Sequence, residues 1–318
     1  MTAEQTTFAP RAQRVQRAIK RRRPIGGARE TLGIRAFLIP IGLVVIVLFG
    51  VPFAESVYYS FTDWSGLDPD VRFVGLKNYA AVFTNPALLG GLAFTVLYAV
   101  ASTALITVFA IPLAVFLNQK LFGTRFARAV FFFPAIPSVA VLGLVWNFIL
   151  NPLGSGALNT VLHSTLGLDP IPWLANITLA QVCVILVGVW TSTGWHAILY
   201  LAYLQSIPTD YYEVAKIDGS NAVQRFFYLT LPLLAPAITI STFLLMNNGL
   251  NVYALPQNLT GGGPALATNT ITSTILTSGI EQAKYGQASA LGVVFMIIIG
   301  MILALQLQIS RRFERNAS

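Results

Sequence analysis

The densest polar stretch between the apolar runs of this chain is Glu213-Val214-Ala215-Lys216-Ile217-Asp218-Gly219, followed further on by Leu229-Thr230-Leu231-Pro232. Two carboxylates and an ammonium group this close together can grip another surface by charge and hydrogen bonding. They have no catalytic company. His163 and His196 are the only histidines and Cys183 the only cysteine. No HExxH, CxxC or carboxylate cluster is present, which leaves neither a metal centre nor a nucleophile with its base. No Gly-x-x-x-x-Gly-Lys-[Ser/Thr] loop occurs, and Gly261-Gly262-Gly263 has no lysine beside it. The chain therefore has no phosphate cradle for ATP. The chemistry left to the segment is recognition, as a docking handle.

The handle reads as two brief helices broken at a glycine. Ser206-Ile207-Pro208 is expected to start the first, with Ser as cap and Pro in the first turn. Tyr211, Val214 and Ala215 then fall on one face at i, i+3 and i+4. Gly219 suits the left-handed position that ends a helix, and Ser220 or Asn221 can cap the next. Phe226, Phe227 and Leu229 lead on to Leu231-Pro232.

A second set of polar groups is uncharged. Asn147, Gln181, Asn247, Asn248, Asn251, Tyr253, Gln257 and Asn258 lie in or beside apolar runs. Amides offer donors and acceptors together, which suits a hydroxyl-rich solute. Trp190, Trp195 and Tyr253 could pack against sugar rings. Each amide alone is better read as bonding one helix to another in lipid. As a group near the fifth span, Asn147, Asn247, Asn248, Asn251, Tyr253 and Gln257 are candidates for a pathway. The turn Gly261-Gly262-Gly263-Pro264 is costly backbone at membrane depth, tolerated only against protein or a water-filled cavity.

These groups need spans to position them. Hydrophobic residues make up 55% of the 318 and charged residues 10%, too few to cover a water-facing surface. The apolar residues cluster into six runs near 36–58, 91–117, 130–150, 178–204, 233–254 and 287–309. None shows dyad alternation, so the expected fold is all-α with six transmembrane helices. The first run is too long for a signal peptide and is read as a retained helix.

The basic residues set the orientation. Nine precede the first span, from Arg11 to Arg35. Lys120, Arg125 and Arg128 follow span two, Lys216 and Arg225 lie in the handle, and Arg311, Arg312 and Arg315 close the chain. The opposite loops hold only Arg72, Lys77 and Lys284. This bias places both termini and the handle in the cytoplasm. The expected organisation is a basic tail at 1–35, a transmembrane region at 36–310 with a cytoplasmic loop at 205–232, and a short tail at 311–318. The net charge of +8 then reads as a topology anchor on anionic lipid, and no nucleic-acid partner is expected. Glu55, Glu281 and Lys284 lie near span ends, and no Asp, Glu, Lys or Arg is placed in mid-span. That disfavours a carrier driven by an ion gradient, the alternative reading.

The handle resembles the signature loop of permease subunits of binding-protein-dependent ABC importers, with Glu213, Ala215 and Gly219 in register and Leu231-Pro232 at the expected distance. Val214 and Leu229 depart from the usual Ala and Ile. Leu259 to Pro264 with Thr268, then Tyr285 to Ala290, is similar to the segment before the last span in permeases of the maltose and glycerol-phosphate type. Phe133-Pro134 through Trp146, with Gly156 and Asn159, is a third match. The resemblance implies a type I importer permease fold in a prokaryotic cell membrane. It implies that Glu213, Ala215, Asp218 and Gly219 form a coupling helix seated in an ATPase subunit. Two such subunits would bind ATP and Mg2+, no cofactor sitting in this chain. A second, non-identical permease and an external solute-binding protein complete the implied assembly, which imports a sugar or polyol.

Overall fold

The computed structural model describes residues 38–68, 70–119, 122–153 and 156–317, with side chains as far as Arg312. The basic tail 1–35, Lys120 and the side chain of Arg315 lie outside the described residues. The chain divides into two units at Glu55. The first holds most of helix α1 (Leu38–Tyr59), 22 mainly apolar residues, about 33 Å of helix and enough to cross a bilayer core of about 30 Å. Its middle, Ile46–Gly50, is a π turn.

The second unit, Ser56–Ser318, carries the rest of the fold, and its described residues are helical apart from loops and an isolated Thr62–Phe73 bridge. Two further helices are long and unbroken, α3 (Pro86–Leu117) and α7 (Ile177–Leu204), and the last, α13 (Tyr285–Ala317), is longer still. Two expected spans are bent pairs. Thr124–Ala135 (α4) meets Val139–Ile149 (α5) at 92°, and Ala222–Leu233 (α9) meets Ala235–Leu250 (α10) at 68°. Proline accounts for both breaks: Pro134 and Pro137 flank the first, and Pro232 and Pro236 the second. Counting each pair as one span gives six. Four short helices join them: α2 (Lys77–Thr84), α6 (Ala157–Leu166), α11 (Ala254–Thr260) and α12 (Ile271–Leu276), the last running into a π turn at Thr277–Glu281. The loops 59–90 and 151–177 thus each carry a helix.

Helix starts follow local chemistry. Asn85 Oδ1 accepts from Ala87 N at 3.0 Å with Pro86 next to it, so α3 begins five residues before its apolar run. Ser138 caps α5 and Asn176 caps α7 in the same manner, from Val141 N at 3.3 Å and Leu179 N at 3.1 Å.

Helix α3 is central, packing on α7 along one side and α10 along another. The first core joins Phe94, Ile106 and Leu117 of α3 to Val184, Ala197 and Tyr200 of α7 and Leu245 of α10. A second joins Val82 of α2, Ala99 of α3, Leu250 of α10 and Leu291 of α13. Helices in lipid gain by close approach rather than by hiding from water. Gly249 shows how close: a Cβ there would lie 2.7 Å from Ala99 Cα. Buried polar groups are tied across helices. Thr95 Oγ1 accepts from Ile271 N at 2.9 Å, and His196 Nδ1 meets Ser241 Oγ at 2.7 Å.

The loop before α7 is locked by one residue. Asn159, 2% exposed, takes Ile171 N at 3.1 Å and Trp173 Nε1 at 3.0 Å on Oδ1. Its Nδ2 donates to Ile171 O at 3.0 Å and Asn151 O at 3.3 Å.

Candidate functional site

The handle is built from helix α8 (Asp210–Ile217) and the start of α9. Ser206 does not cap α8, contrary to expectation. Its hydroxyl donates back to Tyr203 O at 2.7 Å, finishing α7, and the N-cap position falls to Thr209, whose side chain makes no cap bond. Pro208 separates the two. The acids Asp210 and Glu213 stand in the first turn and Lys216 in the last, each on the favourable end of the helix dipole.

The break after α8 is fully specified. Ser220 N donates to Ala215 O at 3.0 Å and Gly219 N to Lys216 O at 3.1 Å, with Gly219 at φ +80°. This is the Schellman arrangement, which satisfies the last carbonyls and needs a left-handed residue. Between the two capping candidates, Asn221 takes the role, with a reciprocal box: Gln224 N to Asn221 Oδ1 and Asn221 N to Gln224 Oε1, both 2.8 Å. Arg225 Nη1 donates to Ser220 O, and Tyr212 Oη meets Thr230 Oγ1 at 3.3 Å. The two short helices are thereby a rigid piece.

Its outer surface sets large apolar side chains among the exposed charges of Asp210, Glu213, Lys216 and Asp218. Ile217 is 85% exposed and Tyr228 83%. Tyr211, Val214, Ala215 and Asp218 share the wall of a concavity of ≈ 710 Å³ with Leu229, so the expected face exists. Ala215, Asp218 and Gly219 also line a neighbouring one of ≈ 450 Å³. Glu213 is exposed and lines neither concavity.

The amides gather around the end of α10 and α11. Asn251 Nδ2 donates to Asn247 O at 2.8 Å, closing α10 at the expected i, i+4 spacing. Asn248 and Gln257 are exposed, Asn247 half-buried, and Tyr253 is 37% exposed at the start of α11. Gln257 Oε1 accepts from Ser273 Oγ at 3.4 Å. Asn147 is used between helices: its Nδ2 donates to Leu259 O at 2.7 Å, tying α5 to α11. Gln181 does the same from α7 to Ala267 O at 2.8 Å, whereas Asn258 bonds within its own helix to Ala254 O at 2.7 Å. Trp190 and Trp195 are 43% and 44% exposed, and Trp146 meets Trp190 edge-on at 5.4 Å.

The Gly261-Gly262-Gly263-Pro264 turn rests against protein. Gly261 and Gly262 are left-handed, at φ +61° and +82°. Thr268 Oγ1 donates to Gly263 O at 2.7 Å and lies 2.6 Å from Thr260 Oγ1, and Thr268 N donates to Gly262 O at 3.2 Å. The carbonyls of Gly262 and Gly263 are thus paired inside the protein. The His196–Ser241 pair, the Asn159 lock and a bond from Gln306 Nε2 to Thr242 Oγ1 at 2.9 Å were not assigned from sequence. Ser, Thr and Gln in apolar runs signal that partners exist without naming them.

Comparison with known proteins places these features. The probable starch degradation products permease AmyD of Thermoanaerobacterium thermosulfurigenes is 32% identical over 278 residues, covering 87% of this chain and 94% of the relative. The multiple sugar-binding transport system permease MsmF of Streptococcus mutans is 33% identical over 281 residues, covering 87% and 95%. A chain of a bacterial alginate ABC transporter, crystallised with an alginate pentasaccharide-bound periplasmic protein, has the same fold, with a TM-score of 0.76 at 21% identity, covering 90% of this chain and 96% of that one. The family model for the binding-protein-dependent transport system inner membrane component matches residues 106–315, from mid-α3 through the handle to the end of α13, and the chain belongs to that family.

Proposed function

We propose that this chain is the membrane-spanning permease subunit of an ATP-driven importer for a sugar or related polyol. The handle docks into a cytoplasmic ATPase subunit through Glu213, Ala215, Asp218 and Gly219. Two such subunits bind ATP and Mg2+ and close on it. A second, non-identical permease chain completes the pathway, and an extracytoplasmic solute-binding protein delivers the cargo. Both termini face the cytoplasm of a prokaryotic cell. The observation that carries the reading is the hydrogen-bonded handle with large apolar side chains left uncovered among its charges, Tyr211, Val214, Ile217 and Tyr228 foremost, because a water-facing loop keeps such a set of groups for a partner. Support for sugar comes from the relatives, AmyD and MsmF among them, whose names specify starch products and multiple sugars. Asn248, Asn251, Tyr253 and Gln257 are the groups proposed to line the path, with Asn147 and Asn247 beside them. Since the chain does no hydrolysis, the ATPase must do work that the handle relays as a rigid-body shift.

The test is purification of the tagged chain from its own membranes in mild detergent. An ATPase and a second permease are expected to come with it, and the assembly in liposomes should take up sugar only with ATP inside the compartment that holds the ATPase and with the binding protein on the other side. Uptake by the purified chain alone, driven by an ion gradient, would overturn the proposal.

A further inference from the structure

A cavity of ≈ 420 Å³ lies where α3 and α7 end against the inner side of the handle. Lys216 of α8 and Arg225 of α9 both line it, and among the described residues no Asp or Glu does. The carboxylates of α8 stand elsewhere: Asp210 and Asp218 line the outer concavity, and Glu213 is in the wall of none of these spaces. The hydroxyls of Tyr212 and Thr230 and the amides of Asn118 and Gln119 complete its polar wall. The Arg225 guanidinium is held in place by its bond to Ser220 O, which leaves further N–H groups to donate.

The end of α3 would by itself repel an anion, since a helix C-terminus is negative. That end already carries a cation. Arg128 Nη2 donates to Leu117 O at 2.9 Å, and the backbone N–H groups of Asn118 and Gln119 satisfy Ala114 O and Phe116 O. A space with two cations from different helices, no carboxylate among the described residues of its wall and a further arginine on the α3 end suits a compact polyanion. We propose that this cavity binds a phosphate group between Lys216 and Arg225, carried by an anionic lipid or free in solution.

The assignment of the cavity to the cytoplasmic leaflet rests on the orientation proposed above; the binding itself does not. Two features bear on the source. The cavity stands at the ends of two spans, the level at which lipid headgroups lie. It also has apolar wall from Val115, Leu204 and Phe226, which a glycerol stem would use and a free ion would not. Either ligand would fasten both handle helices to the end of the second span.

The test uses the purified full chain in detergent, with phosphatidylglycerol, phosphatidylcholine and inorganic phosphate as probes. Native mass spectrometry reads retained lipid, and thermal unfolding reads the effect of each probe. Wild type should retain phosphatidylglycerol about tenfold better than phosphatidylcholine, and Lys216→Gln with Arg225→Gln should remove that preference. Lys216→Gln alone, at an exposed position, should lower retention severalfold without loss of fold, and Arg225→Lys should keep most of it. Stabilisation by inorganic phosphate in wild type only, with no lipid preference, would support the site and assign it to a soluble anion. Equal retention of both lipids, together with equal phosphate response in wild type and the double glutamine variant, would overturn it. Neither readout needs an ATPase or a transported solute, so a failure here is separate from a failure of the docking proposal.

Discussion

Substituting Gly219 by Asn, Ala and Trp in turn gives three variants that share a site and differ in how much they add to it. At φ +80° an ordinary L residue costs about 1–2 kcal/mol, and Asn less. A Cβ at Gly219 meets no atom within 4 Å, so the backbone strain is the whole intramolecular cost. Ala and Trp should therefore unfold alike, to within about 0.5 kcal/mol. They differ only outside the chain, where the indole projects beside the concavity lined by Ala215, Asp218 and Gly219. If an ATPase subunit seats there, Asn should bind it almost as wild type does and Ala within severalfold. Trp should weaken it about a hundredfold or more, a loss of about 3 kcal/mol. The assay is titration of the ATPase against the solubilised permease, with thermal unfolding of each variant measured in parallel and ATP-driven uptake as the functional readout. Equal affinity of the Ala and Trp variants would refute the claim that this face is the docking surface. A larger thermal loss for Trp than for Ala would refute the steric premise itself.

Asn159→Leu should cost about 2–4 kcal/mol, because it strands Trp173 Nε1, Ile171 N and Ile171 O inside the loop before α7; thermal unfolding followed by tryptophan fluorescence checks it. Gly249→Ala should cost about 1–3 kcal/mol, since its Cβ would sit 2.7 Å from Ala99 Cα and 3.0 Å from Ala99 Cβ, and Gly249→Val should fail to give monodisperse protein on gel filtration. Asn147→Leu should lower stability by about 1 kcal/mol through loss of the Leu259 bond and leave the KM for uptake unchanged. Asn248→Ala, at an exposed position, should leave stability within about 0.5 kcal/mol and raise the KM about tenfold; radiolabelled uptake across a concentration series separates the two.

The six spans were legible because each is an apolar run longer than a bilayer is thick, and that signal needs no tertiary context. Asn85 and Pro86 moved the start of α3 outward because a cap overrides the edge of a hydropathy run. The bends were marked by Pro134, Pro137, Pro232 and Pro236, yet proline in a membrane helix shows where a break is allowed and not how far it turns. Helices α2, α6, α11 and α12 were missed since each is short and held by long-range bonds such as Thr95 to Ile271 N. The handle's glycine and its second cap are local chemistry, and there the reading failed at the first start: Pro208 falls before the N-cap Thr209 and not in the first turn, and the Ser206 hydroxyl prefers the carbonyl behind it to the amides ahead. The amides could not be sorted in advance. Asn147 and Asn248 are the same residue type in similar surroundings of sequence, and only the distance to Leu259 O separates them.

The elbow between α9 and α10 has its own consequence. Leu234, at the corner, is fully enclosed, and hydrogen bonds continue across it, from Leu234 N to Thr230 O at 3.0 Å and from Ile238 N to Leu234 O at 2.9 Å. Such a corner is a welded bracket. If an ATPase moves the handle as proposed, a displacement along α9 would arrive at α10 as torque, its direction set by the 68° angle. Loosening that bracket, by removing the prolines that fix its shape, would leave both ends intact and the stroke lost between them.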